Sequence, residues 1–357
     1  MDVHGIDHFE YYVEDAAEAA RQLCDAFGFR VCGEGGPHTG LPDCRSLLLR
    51  QRDITLLLTS AVSESHPAAG YVKRHGDGVA VIGVQVADAR AAFDEAIRKG
   101  AAPVAPPTAM GTDGAPVTFA SVIGFGDVAQ RFVSRGAPDG PFAPRGYRQE
   151  AAPAGAGLLR AVDHIAVCVP AGELNSTVRH YQNVFGFAET FEERILVGSQ
   201  AMESKVVQND ARTVTFTLLE PDTTRDPGQI DEFIGSHGGA GVQHLAFLAD
   251  DITLAVREIS ARGMRFLDTP GSYYDMLTAR LGELGMPVDT LRELSILADR
   301  DRWGLLLQIF TETQHPRGTL FYEVIERRGG RTFGANNIKA LYEALERQHG
   351  AGRAMHA

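Results

Sequence analysis

The order of apolar strands and amphipathic helices repeats along the chain. An apolar strand opens at Ile6, and a helical stretch over residues 16–27 follows it and ends before a glycine. A second apolar strand opens at Val162, and a helical stretch over residues 173–185 follows it and also ends before a glycine. Glycine in that place is typical of a left-handed helix cap. The pattern therefore predicts the same supersecondary unit in both halves.

Each half contains a further copy of this unit. A strand over residues 79–86 precedes a helix over residues 89–99, and a strand over residues 242–248 precedes a helix over residues 252–262. Few copies with a long period indicate duplication rather than a solenoid. Alternating strands with one helix per unit predict an α+β fold, in which a curved sheet carries helices on its outer face.

The boundary between the halves is marked by composition. Residues 145–158 are rich in Ala, Gly and Pro and lack apolar periodicity, which predicts a linker. A chain of 357 residues is also too long for one ordinary hydrophobic core. We therefore expect two domains, over residues 1–150 and 151–357.

Composition and charge narrow the classes of function. The chain is 44% hydrophobic and 22% charged, with a formal net charge of -12, which argues against a nucleic-acid partner. No apolar run approaches the roughly 20 residues of a membrane span, and no signal peptide opens the sequence. The four cysteines have no metal-site or redox-motif spacing, so we expect free thiols and a cytoplasmic protein without a membrane partner. The duplicated half could offer the surface of a homodimer.

Three residues of the C-terminal half have the chemistry of a metal site. His164 and His244 occupy matching strands of their units, 80 residues apart, and Glu323 follows 79 residues later in another apolar strand. Two imidazoles and one carboxylate, with positions left open, are the ligand set of non-haem iron(II) oxygenases. Zinc, manganese, or a hydrogen-bonded core without metal remain alternatives on the residues alone.

The N-terminal half lacks this ligand set. His8 matches His164, but Ile82 stands at the place of His244. The strand at residues 127–133 offers no carboxylate beyond its first residue. We therefore predict that the N-terminal domain is a structural copy that binds no metal.

The chain from Val162 onwards resembles the 4-hydroxyphenylpyruvate dioxygenase family of the vicinal-oxygen-chelate superfamily. The matching stretches are, in order, VDHIAVCV, SKVV, GVQHLAF, LDTPGSYYDML, LRELSILADRD, LLLQIF, TLFYEVIER and FGANNIKALYEALE. The resemblance implies four βαβββ units that form two open-barrel domains. It also implies that Fe(II) is held in the C-terminal barrel by His164, His244 and Glu323.

The family's chemistry gives an expected substrate. The resemblance implies that 4-hydroxyphenylpyruvate chelates the iron through its own 2-oxo acid and reacts with O2 with loss of CO2, while the protein provides orientation and a dry pocket. Attack on the ring with side-chain migration gives homogentisate. Attack on the benzylic carbon gives 4-hydroxymandelate, the reaction of the related hydroxymandelate synthases.

Three departures from the ring-hydroxylating pattern favour 4-hydroxymandelate. Thr217 stands where those enzymes have proline, and Leu219 stands where they have an asparagine near the phenol oxygen. Ile338 replaces a phenylalanine on the C-terminal helix, which the resemblance places over the site. Displacements on the order of 1 Å are enough to redirect a reactive centre. Sequence drift within a ring hydroxylase is the alternative.

Five more residues are expected at the substrate pocket from their motifs. Their polar members should contact substrate and their aromatic members should form its walls; they are Ser204, Gln229, Gln308, Phe310 and Phe333. The alternatives are that the polar side chains bond only the backbone and that the aromatic side chains belong to the ordinary hydrophobic core. The amphipathic stretch at residues 338–347 is expected to exclude water from the site. An extradiol ring-cleaving dioxygenase and a metal-free antibiotic-binding protein are the competing functions.

Overall fold

The described strands form two sheets, one in each half. The computed structural model describes residues 1–137, 140–150, 157–334, 337 and 339. Within these residues the first sheet contains β1 (Val3–Tyr12), β2 (Arg30–Gly35), β3 (Cys44–Gln51), β4 (Ile54–Ala61), β5 (Gly78–Val86), β6 (Pro103–Ala109), β7 (Val117–Phe125), β8 (Val128–Arg135) and β9 (Tyr147–Gln149). The second contains β10 (Leu159–Cys168), β11 (Ala188–Val197), β12 (Gln200–Gln208), β13 (Thr215–Pro221), β14 (Gly241–Ala249), β15 (Leu297–Arg300), β16 (Leu305–Phe310) and β17 (Phe321–Arg328).

The helices lie between these strands. In chain order they are α1 (Ala16–Phe27), α2 (Pro67–His75), α3 (Ala89–Arg98), α4 (Leu174–His180), α5 (Gln229–His237), α6 (Ile252–Ala261), α7 (Gly271–Asp275), α8 (Leu277–Leu281) and α9 (Val288–Glu293). A π-helical turn over Tyr181–Phe185 continues α4. None of the described helices has the length and apolar content needed to cross a bilayer.

The strand order confirms the four βαβββ units. It is β6-β7-β8-β5-β1-β4-β3-β2-β9 in the first sheet and β11-β12-β13-β10-β14-β17-β16-β15 in the second. In each curled sheet the opening strands of the two units pair antiparallel at the centre, as β1 with β5 and as β10 with β14. A third strand then lies parallel to each opening strand, which brings three strands from distant parts of the chain side by side.

Capping residues explain why the unit helices begin where they do. The side chains of Asp15, Asp88 and Asp251 each accept a hydrogen bond from a backbone N–H in the first turn, at α1, α3 and α6. Such caps satisfy donors that have no partner within the helix. Gly28 then ends α1 in the left-handed conformation, with φ of 80°. The predicted bounds of α1 are confirmed.

The predicted linker is wrong in one part. Tyr147–Gln149 form the edge strand β9, which pairs antiparallel with β2. Apolar alternation does not reveal a strand of three residues, because its pairing through backbone groups needs no buried face. Residues 151–156 lie outside the described part of the chain. The domain bounds 1–150 and 151–357 remain our proposal.

Helices α2 and α5, which the repeat pattern did not predict, meet between the two halves. The imidazole of His75 stacks on that of His237, with 4.4 Å between ring centroids. The phenyl ring of Phe233 stacks on His237 as well, at 5.2 Å. The Nδ1 of His75 is 2.7 Å from the His237 carbonyl oxygen. A stack of three rings therefore joins α2 to α5.

We predict opposite effects for two glycine substitutions. Gly186 has φ of 74° and Gly70 lies inside α2, and a Cβ at Gly70 would meet no atom within 4 Å. Gly186→Ala should destabilise the protein by about 1–2 kcal/mol, because alanine is strained in the left-handed region. Gly70→Ala should stabilise it by about 0.5–1 kcal/mol, because glycine loses more conformational entropy in a helix. Urea denaturation measures both, and shifts of the same sign would contradict the described backbone.

We also predict that His237 makes the fold less stable in mild acid. Burial, together with the neighbouring His75 and Arg317, lowers the pKa of His237 to about 4. The unfolded chain therefore binds a proton near pH 6.5 that the folded chain refuses, so stability falls as pH drops below 6.5 and the loss is complete near pH 4. Between pH 7 and pH 5 this group should cost about 2 kcal/mol.

The control is His237→Gln, which keeps a donor for the Gly239 carbonyl but cannot titrate. Denaturation at pH 7 and pH 5 should show a smaller acid loss for the variant than for the unaltered protein. Equal losses would mean that His237 is not held neutral by its surroundings.

Candidate metal centre

Sheet register brings the three predicted metal-binding residues together. His164 on β10 and Glu323 on β17 both pair with Ala246 of β14, and His244 stands two residues before that alanine. Side chains at these positions share one face of the sheet, because successive residues of a strand alternate between faces. The Oε2 of Glu323 lies 3.2 Å from Nε2 of His164 and 3.4 Å from Nε2 of His244. All three ligand atoms lie within 4.8 Å of one another.

Neighbouring side chains fix the orientation of both imidazoles. The Nδ1 of His164 donates to Asp163 at 2.9 Å, and Arg327 holds that carboxylate through two hydrogen bonds of 2.6 and 2.7 Å. The Nδ1 of His244 lies 3.3 Å from Oε1 of Gln243. With Nδ1 occupied on each ring, Nε2 of each ring is turned towards Glu323, as in histidines that bind metal.

The electrostatics of the cluster favour positive charge next to Glu323. Burial alone raises the pKa of Glu323, but the two facing imidazoles outweigh it and lower that pKa to about 2. Burial likewise lowers the pKa of His164, and the charge of Glu323 reverses this and raises it to about 9. A carboxylate that is 1% exposed thus draws positive charge to one point between three strands. Two imidazoles and a carboxylate suit a divalent metal ion at that point.

The register also places the expected substrate-pocket residues of β12 and β13. Thr217 pairs with Ala166 and Leu219 pairs with Cys168, so both lie on the face that carries His164. Ser204 pairs in turn with Leu219 and lies on that face. The hydroxyl of Thr217 is buried without a hydrogen-bond partner among the described residues. This hydroxyl is therefore free to bond a ligand on the face that carries His164, His244 and Glu323.

Aromatic rings enclose the imidazoles. Phe310 lies 5.9 Å from the ring of His244, and Phe333 lies 5.3 Å from the ring of His164. Phe321, which was not predicted from the sequence, stacks on His244 at 4.9 Å. It could have been found from register, because it pairs directly with His244 and the register of β17 depends on that pair.

The remaining expected residues lie farther out or beyond the described chain. Gln229 opens α5 and lines a cavity of about 130 Å³ together with Gln243 and Phe321, both of which contact His244. Ile338 and the predicted helix at residues 338–347 fall outside the described residues, apart from Lys339. Their expected roles stay predictions.

Gln308 has a position that its motif did not reveal. Its Nε2 donates to Oε1 of Glu323 at 2.7 Å, and its Oε1 accepts from Nδ2 of Asn337 at 2.8 Å. It lies on the face shared with Phe310, as predicted, but its amide oxygen and one N–H are already engaged. The structure therefore places Gln308 against Oε1 of Glu323, the oxygen that does not face the imidazoles.

The equivalent place in the N-terminal half contains an ion pair. His8 pairs with Gly83, and Gly83 pairs with Arg131, so Arg131 is the counterpart of Glu323. Its guanidinium lies 3.0 Å from Nε2 of His8 and 2.8 Å from Oε2 of Glu10. The residue opposite Glu10 is Val81, so the counterpart of His244 is Val81 and not Ile82 as expected. A shift of one residue moves a side chain to the other face of a sheet.

The groups around both centres nevertheless correspond. Arg135 holds Asp7 through two hydrogen bonds of 2.8 Å, and Asp7 accepts from Nδ1 of His8. Phe142 lies 4.9 Å from the His8 ring, as Phe333 lies beside His164. The duplicated unit has thus kept an Asp–His–Arg–Phe cluster in both halves. The arginines were not predicted from the sequence, although each stands four residues after the counterpart position at 131 or 323.

Comparisons with known proteins agree with this geometry. Residues 5–121 and 161–309 match the Glyoxalase/Bleomycin resistance protein/Dioxygenase superfamily. A 4-hydroxyphenylpyruvate dioxygenase of Aspergillus fumigatus is 32% identical over 96% of this chain and 92% of its own, and one of Xenopus tropicalis is 33% identical over 95% and 90%. The solved structure of a triple mutant of 4-hydroxymandelate synthase from Streptomyces coelicolor is 45% identical, with a TM-score of 0.90, over 98% of this chain and 100% of that one.

A more distant structure supports the fold alone. The Mn(II)-bound glyoxalase of Novosphingobium aromaticivorans is 12% identical, with a TM-score of 0.52 over 91% of this chain and 82% of that one.

The fold and the buried cluster of His164, His244 and Glu323 together define an enzyme of the dioxygenase class, built on the glyoxalase-like barrel. Within that class the chain belongs to the 4-hydroxyphenylpyruvate dioxygenase family.

We predict that Arg131→Met destabilises the fold by about 3–5 kcal/mol, because it leaves the buried carboxylate of Glu10 without its cation. The double variant Arg131→Met with Glu10→Gln should recover most of this loss, since the substituted amide would be neutral and could still accept from Thr59. Chemical denaturation measures the free energies. A loss in the double variant as large as in Arg131→Met would show that the guanidinium does more than neutralise Glu10.

Proposed function

We propose that this chain is a 4-hydroxymandelate synthase that binds Fe(II) through His164, His244 and Glu323. It would convert 4-hydroxyphenylpyruvate and O2 to 4-hydroxymandelate and CO2. One oxygen atom enters the new carboxylate and the other enters the benzylic hydroxyl, so the reaction balances without a further reductant. The 45% identical relative carries this activity in its name.

One observation carries the choice of product. Leu219 lies on the sheet face that carries His164. It packs in an apolar group that includes Cys168, Met202, Ile230 and Phe233. A phenol oxygen directed at this wall would lose a hydrogen-bond partner, which costs about 1–3 kcal/mol. The wall therefore favours a pose in which the phenol lies elsewhere and the benzylic carbon approaches the metal.

The protein's own residues bind, orient and keep the site dry. An iron(II) ion held by the three ligands would supply coordination positions for the 2-oxo acid and for O2, and would carry electrons from the substrate to O2. Ser204 and Gln229 are proposed to hold polar groups of the substrate. Thr217 contributes a buried hydroxyl that no described residue uses.

Aromatic side chains limit the access of water. Phe310 is 3% exposed and Phe333 is 6% exposed, and each faces one of the two imidazoles. Exclusion of water strengthens electrostatic interactions within the site and prevents side reactions. Ile338 is proposed from the sequence alone to complete this enclosure.

Ring hydroxylation to homogentisate is the second candidate. The relatives that are 32–33% identical are named 4-hydroxyphenylpyruvate dioxygenases. The same metal ligands and substrate would serve both reactions. Membership of the dioxygenase family argues against the metal-free binding protein, and the family's relatives argue against the extradiol alternative.

The test of the proposal is product identification. The protein is loaded anaerobically with iron(II) and mixed with 4-hydroxyphenylpyruvate and O2. The products are identified by their chromatographic retention against standards and by mass spectrometry. The proposal expects 4-hydroxymandelate. Homogentisate would replace it with the second candidate, and absence of O2 uptake by iron-loaded protein would remove the substrate assignment.

We predict that Leu219→Asn redirects part of the product to homogentisate and lowers kcat/KM by about 10- to 100-fold, because a misplacement on the order of 1 Å has that effect. Leu219→Met is the matched control, since it conserves volume and apolarity. The control should still give 4-hydroxymandelate alone. An unchanged product from Leu219→Asn would mean that this wall does not orient the ring.

A further inference from the structure

A chain of hydrogen bonds leads from the carboxylate ligand to the outer strand β15. Gln308 donates to Oε1 of Glu323 at 2.7 Å, and Asn337 donates to Oε1 of Gln308 at 2.8 Å. The hydroxyl of Tyr273 lies 2.9 Å from Oδ1 of Asn337 and 2.8 Å from the carbonyl oxygen of Ala298, two acceptors that share its single proton. The oxygen of that hydroxyl accepts from the backbone N–H of Ala298 at 2.9 Å. Four side chains are thus connected in series.

The directions of the two amide bonds in this chain, from Gln308 and from Asn337, are set at its inner end. The carboxylate of Glu323 can only accept, so Gln308 must present its NH2 group to it. The amide oxygen of Gln308 then faces Asn337, which must present its own NH2 group and leave its oxygen for Tyr273. Each amide therefore has one orientation that satisfies all partners, and reversing either would set two like groups against each other.

Burial makes a reversal costly. Gln308 is 1% exposed and Asn337 is 0% exposed, so neither could replace a lost partner with bulk water. Buried polar groups that lose a hydrogen bond keep the full cost of desolvation. At the outer end Arg280 donates to the Tyr273 oxygen at 3.0 Å and lies over its ring. The Tyr273 hydroxyl is therefore held from both sides.

The two oxygens of Glu323 consequently have different tasks. Oε1 faces Gln308, and Oε2 faces the Nε2 atoms of His164 and His244. We propose that Asn337 and Tyr273 are positioning residues for the metal centre, which lock the amide of Gln308 and thereby hold Glu323 with one oxygen towards the ion. This proposal rests on the proposed metal site.

The N-terminal half offers an internal comparison. Ser121 pairs with Arg131 in the antiparallel pair β7–β8, and Phe119 pairs with Val133, so Phe119 is the counterpart of Gln308. There the guanidinium of Arg131 lies 5.2 Å from the ring of Phe119. The half without a carboxylate ligand thus has no amide at this place. The Gln308 amide accompanies the ligand that it holds.

The experiment measures Mn(II) binding, which needs neither substrate nor O2. Asn337→Leu should weaken Mn(II) binding by about 10- to 100-fold, the usual effect of removing a group that orients a ligand. Tyr273→Phe removes only the outer donor and should weaken it by about 2- to 10-fold. The electron paramagnetic resonance signal of free Mn(II) gives the dissociation constant, and the line shape of the bound ion reports altered ligand geometry.

Two controls separate positioning from general stability. Tyr274→Phe alters the adjacent tyrosine, whose hydroxyl is outside this hydrogen-bond chain, and should leave Mn(II) binding unchanged. Asn209→Leu removes a buried asparagine that bonds the Val3 carbonyl and takes no part in this hydrogen-bond chain, and it should lower stability but not Mn(II) affinity. Circular dichroism verifies that each variant is folded.

A double-variant cycle decides how Asn337 acts. If it acts only through Gln308, Gln308→Leu with Asn337→Leu should bind Mn(II) as weakly as Gln308→Leu alone. Additive losses, or unchanged affinity and line shape in both Asn337→Leu and Tyr273→Phe, would overturn the proposal. Failure of the unaltered protein to bind Mn(II) would overturn the proposed metal site and this inference with it. A different product in the activity assay would leave the inference intact.

Discussion

The structure depends on how one buried negative charge is compensated. Glu323 is 1% exposed on a strand inside a barrel, where an ionised carboxylate without partners would cost several kcal/mol. Two imidazoles face one of its oxygens and an amide faces the other. Each of these groups needs a support of its own, which accounts for Asp163 and the arginine that holds it. The polar groups inside the C-terminal barrel thus form shells around one carboxylate, in which each group compensates or orients the next.

Sequence patterns predicted the fold well, because its repeated unit is defined by local signals. The strand that opens at Ile6 and the strand that opens at Val162 carry the same apolar pattern, and aspartate and glycine mark the ends of α1. The meeting of His164, His244 and Glu323 could also be predicted, since the two histidines stand at equivalent places of duplicated units whose opening strands pair at the centre of the sheet. Their convergence required no knowledge of the turns between them.

What could not be predicted depends on register and on side chains from separate elements. The predicted counterpart of His244, Ile82, was wrong by one residue. The pairing of β1 with β5 contains register shifts, which a count along the sequence does not reveal. Asn337 and Tyr273 meet Gln308 from segments far apart in the chain, so no local pattern indicates their contact. The edge strand β9 is short and pairs only through its backbone.

The ion pair of the N-terminal half has a consequence for how the protein matures. Arg131 is part of the polypeptide, so that barrel carries its own cation as soon as it is translated. The proposed metal ion of the C-terminal barrel would instead come from solution, and His164, His244 and Glu323 become neighbours only after strands about 80 residues apart have paired. The supply of that metal would therefore affect the C-terminal barrel and not the N-terminal one. A shortage of the metal would leave the ion pair of the N-terminal barrel complete and the proposed site of the C-terminal barrel empty.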